Sequence, residues 1–191
     1  MNSLIDNLPE IPGLLCLPDF LVDPDALLHA VDALPWLDDL SRRVQHYGWR
    51  YDYKSRTIRY EEFLGPLPSF LASLAQRLHS DGLMERVPDQ AIVNEYLPGQ
   101  GIAPHIDCEP CFGPEIATVS LGDEYPMRLT HPETGDAHEI WLPVGSVCVM
   151  RGPARYVWKH DIAKRKFDMV GGARRERKRR VSVTFRKVVI G

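Results

Sequence analysis

Several things are scarce in this 191-residue sequence, and each absence narrows what it can be. No run of 18 apolar residues occurs, so no spanning helix is expected. Met1 to Leu17 has no basic start and carries Asp6, Glu10 and Pro12 where a signal peptide would have an apolar core. A soluble, cytoplasmic protein with no membrane partner is therefore expected. Four cysteines are too few for a disulfide scaffold at this length. Repeats, low-complexity tracts and linkers are missing, so one domain over 1–191 is expected. Charge of one sign is also lacking: the net value of −3 does not mark a bulk nucleic-acid binder.

What is present has a clear order. Asp23-Pro24 followed by Leu27, Leu28 and Val31 reads as an N-capped amphipathic helix ending near Pro35. Leu67-Pro68-Ser69 opens a second helix, with apolar Phe70, Leu71, Leu74, Ala75 and Leu78, and Gly82 just past its end. After Pro88 short strands follow: 91–97, 116–121, 125–130, 139–142, 147–150 and 181–190. Helices followed by dense strands predict an α+β fold, a double-stranded β-helix (jelly-roll) core braced by N-terminal helices. Residues 1–90 would supply support and a lid, and 91–191 the catalytic core.

Between the two helices Tyr47, Trp49, Tyr51 and Tyr53 alternate. On a strand they would form one aromatic face, either a core face or a surface on which a nucleobase stacks, with Arg42 and Arg43 nearby for phosphates. Basic residues also crowd Arg174–Arg180 and Lys164–Lys166, either a local phosphate-binding patch or a solvated loop.

His105 and Asp107, two residues apart on an extended segment, project to one side with Cα atoms about 7 Å apart. With His160 they offer two imidazoles and one carboxylate, a ligand set with open positions suited to Fe(II). On the last strand Arg180, Ser182, Thr184 and Arg186 share one face, while Val181, Val183 and Phe185 share the other. An inward polar face with two arginines calls for a diacid, since guanidinium pairs bidentately with carboxylate. The two arginines stand about 20 Å apart along the strand. Either they lean together, or one binds ligand while the other makes a structural salt bridge. Asn94 and Tyr96 share a face of an earlier strand and offer hydrogen bonds to the same ligand. Cys108-x-x-Cys111 directly follows the His-x-Asp; two reduced thiols in a loop held by Pro110 and Pro114 are expected, with a zinc or redox role as the weaker alternative.

The run Asn94–Gly99, then His105-Ile106-Asp107, Val119–Gly122, Arg155–His160 and Arg180-x-Ser182-x-Thr184-Phe185-Arg186 resembles the AlkB family, Fe(II)- and 2-oxoglutarate-dependent dioxygenases that act on alkylated nucleic acids. The resemblance covers residues 90–187 and, more loosely, the Tyr47-Gly48 segment. It implies that His105, Asp107 and His160 are the iron ligands. It implies that Arg180 and Arg186 hold the carboxylates of 2-oxoglutarate, joined by Asn94, Tyr96 and Ser182, the last standing where some members have Asn. Glu109 matches an acidic position that contacts the substrate base in some members. The segment 42–53, with Arg43, Tyr47, Trp49 and Tyr51, falls where the family keeps its nucleotide-recognition lid.

The implied activity is O₂-dependent dealkylation of N-alkylated bases in DNA or RNA, a form of alkylation repair. 2-Oxoglutarate would go to succinate and CO₂, and the hydroxylated alkyl group would leave as an aldehyde. The same chemistry on a tRNA wobble modification or a protein side chain is the alternative. A barrel that binds metal and an organic acid without turnover is the rival of another class. A monomer is expected.

Overall fold

The computed structural model describes residues 8–38 and 40–190. In chain order they form β1 (Leu14–Leu17), α1 (Pro24–Asp32), β2 (Val44–Tyr47), α2 (Ser69–Ser80), β3 (Gln90–Tyr96), β4 (Ile102–His105), β5 (Phe112–Leu121) and β6 (Tyr125–Thr130). There follow β7 (Ala137–Leu142), β8 (Val147–Met150), α3 (Gly152–Tyr156), β9 (Lys159–Ile162), β10 (Phe167–Val170), β11 (Ala173–Glu176) and β12 (Arg180–Val188). No helix among the described residues is long and apolar enough to cross a membrane.

Two sheets face each other. The larger runs β1-β8-β5-β12-β3-β2 and the smaller β4-β9-β6-β7, while β10 and β11 form a separate hairpin. β12 is the hinge of the design, buried along nearly its whole length and hydrogen-bonded on both sides, to β3 and to β5. Its apolar residues Val181, Val183 and Phe185 pack on Leu71, Leu74, Ala75 and Leu78 of α2, with Val31 of α1 in the same cluster. Its polar residues turn inward, between the sheets, as strand alternation requires. The expected α+β architecture with strands braced by helices is what forms.

α1 starts where expected: the Asp23 carboxylate accepts from the Ala26 N–H at 2.9 Å, and Pro24 stands in the first turn. It stops at Asp32, short of Pro35, as Gln45 of β2 donates to the carbonyls of Val31 and Leu34 and takes over the helix end.

Three expectations are corrected. The Tyr47–Tyr53 stripe is not one face of one strand. Gly48 adopts φ +75°, and a Cβ there would stand 1.8 Å from the Asp89 carbonyl oxygen, so β2 ends at Tyr47. Tyr47 then packs on the helix-side core, and Trp49 turns onto Phe63 with ring centroids 4.7 Å apart. The Arg174–Arg180 run is not a free phosphate patch. Arg175 pairs with Asp123, Arg177 is buried against Asp168, and Arg179 bridges Asp32 and Glu95. Cys108 and Cys111 are joined as a disulfide rather than reduced, and Pro114 lies within β5, not in the loop.

Gly101 lets β4 approach β9. A Cβ there would lie 2.2 Å from the Ile162 carbonyl oxygen. Gly101→Ala should destabilise the fold by about 1–3 kcal/mol, read from the urea midpoint. Gly113→Ala, whose nearest neighbour would be an ordinary 3.4 Å away, should stay within about 0.5 kcal/mol.

Candidate active site

The site is assembled from both sheets. β4 and β9 pair antiparallel, which sets His105 opposite His160. β4 is an edge strand, and Pro104 fits there because no partner needs its missing N–H. Asp107 follows two residues after His105, just past the strand end. One nitrogen of each histidine and one Asp107 oxygen lie within 4.8 Å of one another, and the two rings are 4.3 Å apart. No other cluster of three such ligands occurs among the described residues.

The local hydrogen bonds suit this triad to metal. His105 Nδ1 lies 2.8 Å from the Ala103 carbonyl, which makes Nδ1 the protonated nitrogen and leaves Nε2 a bare lone pair facing Asp107 at 3.8 Å. Arg186 donates to both oxygens of Asp107 at 3.2 Å. Burial works against the Asp107 charge, but Arg186 first, then His160 and His105, outweigh it and hold its carboxyl well below the usual carboxylate range. Burial, with His105 adding to it, pushes the His160 imidazole down to about 3. A charged carboxylate and neutral imidazoles are the states that bind a metal ion.

Behind the triad lies a cavity between the sheets. Arg180, Ser182, Thr184 and Arg186 of β12 line it, with Asn94 and Tyr96 of β3. Arg180 is 2% exposed; it donates to Ser120 Oγ at 3.0 Å, and its Nε has no partner among the described residues. Burial lowers its pKa. A buried guanidinium with an unused donor beside a cavity is suited to an anion there. The two arginines thus differ in state: Arg186 carries a structural salt bridge to Asp107, and Arg180 retains donor capacity. Asn94 is itself held by Arg42, whose Nε donates to Oδ1 at 2.9 Å.

Outside the triad a groove of about 690 Å³ opens to solvent. Tyr51 and Tyr53 line it with Phe112, as do the cations Arg42, Arg56, Lys159 and Lys164. Of the residues singled out for substrate, Tyr51 stands here. Tyr47, Trp49, Arg43 and Glu109 do not line it: Arg43 pairs with Glu95 at 2.6 Å, and Glu109 is exposed beyond the rim. Arg42 rather than Arg43 faces inward, a distinction set by the bend before β2 that the adjacent arginines did not reveal.

The sequence also hid Arg155. It is fully buried and donates to the backbone carbonyls of Asp107 at 2.9 Å and Cys108 at 3.3 Å, fixing the main chain that presents the carboxylate. An Arg five residues before the distal histidine was the available signal.

The depressed His160 pKa has a measurable consequence. The unfolded chain takes up this proton near 6.5, and the metal-free fold only near 3. Between those values the unfolded state binds the extra proton, so the stability from neutral His160 is fully present above 6.5 and falls with pH toward 3. Metal-free protein should show a lower Tm at about pH 5 than at about pH 7, and His160→Gln should flatten that slope; an unchanged slope in the variant would assign it to other groups.

Comparison with known proteins agrees with this geometry. The profile of the 2OG-Fe(II) oxygenase superfamily matches residues 16–186. An Arabidopsis thaliana protein named alkylated DNA repair protein ALKBH8 homolog is 37% identical over 97% of this chain and 61% of its own length. The Xenopus tropicalis tRNA (carboxymethyluridine(34)-5-O)-methyltransferase alkbh8 is 36% identical over 83% of this chain and 26% of its own. This chain therefore spans between about a quarter and three-fifths of those relatives. The solved structure of OsALKBH1 superposes with a TM-score of 0.66 at 20% identity, covering 97% of this chain and 100% of that one, which speaks to the fold. The chain belongs to the 2OG-Fe(II) oxygenase superfamily, and its sequence is similar to relatives with AlkB-type names.

Proposed function

We propose that this chain is an Fe(II)- and 2-oxoglutarate-dependent oxygenase that hydroxylates the substituent on C5 of a uridine at position 34 of tRNA. The observation that carries the reading is the groove. Aromatic Tyr51 and Tyr53 and four cations border a path that ends on the face of His105 and Asp107. A base can stack on the rings while the flanking phosphates meet the cations. The choice of tRNA draws on the relatives named for carboxymethyluridine 34, in Xenopus tropicalis and in Mus musculus. Those names describe a methyltransferase, but this chain matches only 26% and 32% of their length, and the matched part is oxygenase by family. Oxidation of the C5 substituent is the step such a part can contribute.

In this reading His105, Asp107 and His160 hold Fe(II). Arg180 binds the distal carboxylate of 2-oxoglutarate with its unused donor, and Arg186 orients Asp107 and meets the other end of the cosubstrate. Tyr96, Asn94 and Ser182 complete the polar wall. When bound, iron and 2-oxoglutarate supply the oxidising chemistry: the cosubstrate loses CO₂ to become succinate, and one atom of O₂ enters a C–H bond. The protein holds the reactants together and keeps bulk water from the cavity.

A second reading, dealkylation of N-alkylated bases in DNA or RNA, draws on the name of the plant relative. The two separate in one experiment. With Fe(II), 2-oxoglutarate and O₂, tRNA bearing a C5-carboxymethyl-type uridine should yield a nucleoside heavier by one oxygen. An N-methylated oligonucleotide should release little formaldehyde. Formaldehyde from the oligonucleotide, with an unmodified tRNA product, overturns the tRNA reading. Succinate in neither case favours the non-catalytic barrel.

Arg180→Met should raise the KM for 2-oxoglutarate by about 30-fold, from lost charge-assisted hydrogen bonds, while tRNA affinity in a gel-shift assay is unchanged. Weakened tRNA binding with an unchanged KM would move Arg180 out of the cosubstrate site.

A further inference from the structure

Cys108 and Cys111 take no part in holding metal or cosubstrate, yet Cys108 directly follows Asp107 and lines the groove, and Cys111 is bonded to it. Both are nearly buried, at 6% and 4% exposure. Each sulfur lies 3.3 Å from one and the same acceptor, the backbone carbonyl of Arg56. Arg56 is on the other side of the groove in sequence and belongs to a separate loop.

That loop is tightly made. Asp52 accepts from the Lys54 and Ser55 N–H groups and the Ser55 hydroxyl, and the Arg56 N–H donates to the Asp52 carbonyl at 2.8 Å. Arg56 has φ +54°, the sole non-glycine residue with positive φ among the described residues. A long side chain rarely adopts this conformation without compensating contacts. Here it aims the Arg56 carbonyl at the two sulfurs. The same loop carries Tyr53 and the Arg56 side chain into the groove.

A thiol S–H donates to a carbonyl; a disulfide sulfur has no hydrogen to donate. Both sulfurs are therefore placed to satisfy the Arg56 carbonyl in one redox state and to abandon it in the other. The inner end of the cysteine loop cannot absorb the change, because Arg155 clamps the carbonyls of Asp107 and Cys108. The effect passes outward, to the loop at 52–57.

We propose that Cys108 and Cys111 form a reversible dithiol–disulfide couple that latches the 52–57 loop at the substrate groove when reduced and releases it when oxidised. Reduction needs an external dithiol. Its thiolate attacks one sulfur, the S–S bond breaks and a mixed disulfide forms; its second thiolate displaces the protein sulfur and leaves as a cyclic disulfide. Two electrons and two protons end on Cys108 and Cys111. Reoxidation by a peroxide removes them: one thiolate takes an oxygen atom as sulfenic acid, releasing water, and the second sulfur displaces that oxygen as another water. In the reduced, latched state the loop covers the sulfurs, so reoxidation requires it to lift first.

The inference is independent of the tRNA reading, and its test contains no nucleic acid. The full chain, loaded with Mn(II) and 2-oxoglutarate, is prepared with dithiothreitol or with stoichiometric hydrogen peroxide, and amide hydrogen exchange is followed by mass spectrometry. The peptide containing both cysteines should gain 2 hydrogens on reduction. Amides of 52–57 should exchange about five-fold more slowly in the reduced protein. Cys108→Ala/Cys111→Ala should exchange at the oxidised rate in either reagent. Cys111→Ser, which keeps two donors and cannot form the bond, should exchange at the reduced rate in both and covers the case in which the double variant does not fold. Equal exchange of wild-type protein in both states overturns the proposal. So does a redox response that persists in either variant, or a cysteine peptide whose mass does not change.

Discussion

The pairing of Arg186 with Asp107 is the contact on which the site's geometry rests. It joins the central strand of the larger sheet to the loop beyond the edge of the smaller one. Both groups are nearly buried, at 8% exposure each. Removing either would leave the other charged and unpaired in low dielectric, which costs far more than the pair is worth against an apolar replacement. The pair thus fixes orientation more than it adds stability. It keeps Asp107 ionised and turned toward the histidines. Arg155 holds the same residue by its backbone, from the α3 side. Side chain and main chain are therefore constrained by separate cations from separate elements.

Those constraints leave the cavity between the sheets with more positive than negative charge to satisfy. Arg180 and Arg186 line it with Asp107 and Asp161, and Asp161 is already paired with Arg128. His160 does not add to that positive charge, since burial keeps its imidazole neutral at ordinary pH. A cavity with this balance suits an anion, and the Arg180 Nε without a partner stands beside it. In the proposed reading a metal ion at the triad and a diacid beside it would complement one another, the diacid offsetting the arginines. The outer groove follows a different rule. Of its cations Arg42 and Arg186 are buried, while Arg56, Lys159 and Lys164 stand exposed at the rim.

Where local pattern was legible, it was so for simple reasons. β12 alternates without exception because its two faces meet an apolar helix layer and a polar cavity, so parity alone assigned its residues. The two helices announced themselves by capping and by period. β6 and β8 form over the expected residues, β3, β7 and β12 with shifts of one or two residues at their ends, and β5 begins four residues earlier than expected, at Phe112. The aromatic alternation at 47–53 misled because Gly48 takes a left-handed conformation, and a single such residue breaks the two-residue period. The arginine run misled because its partners, Asp32, Glu95, Asp123 and Asp168, lie far off in sequence.

By itself the sequence determined the chemical inventory and its parity: a His-x-Asp on an extended segment, a distal histidine, and two arginines on one face of a strand. These are local properties, set by side-chain type and by the alternation of a strand. Only the tertiary structure decided which of them act together. The β4–β9 register brought His160 to His105, the Arg186 pair oriented Asp107, and of the two β12 arginines Arg180 was left with a buried Nε that has no partner among the described residues. It also decided that Arg42 rather than Arg43 faces the groove, and that two cysteines meet one carbonyl from a distant loop. Those outcomes depend on contacts between residues tens of positions apart, and no local period encodes them.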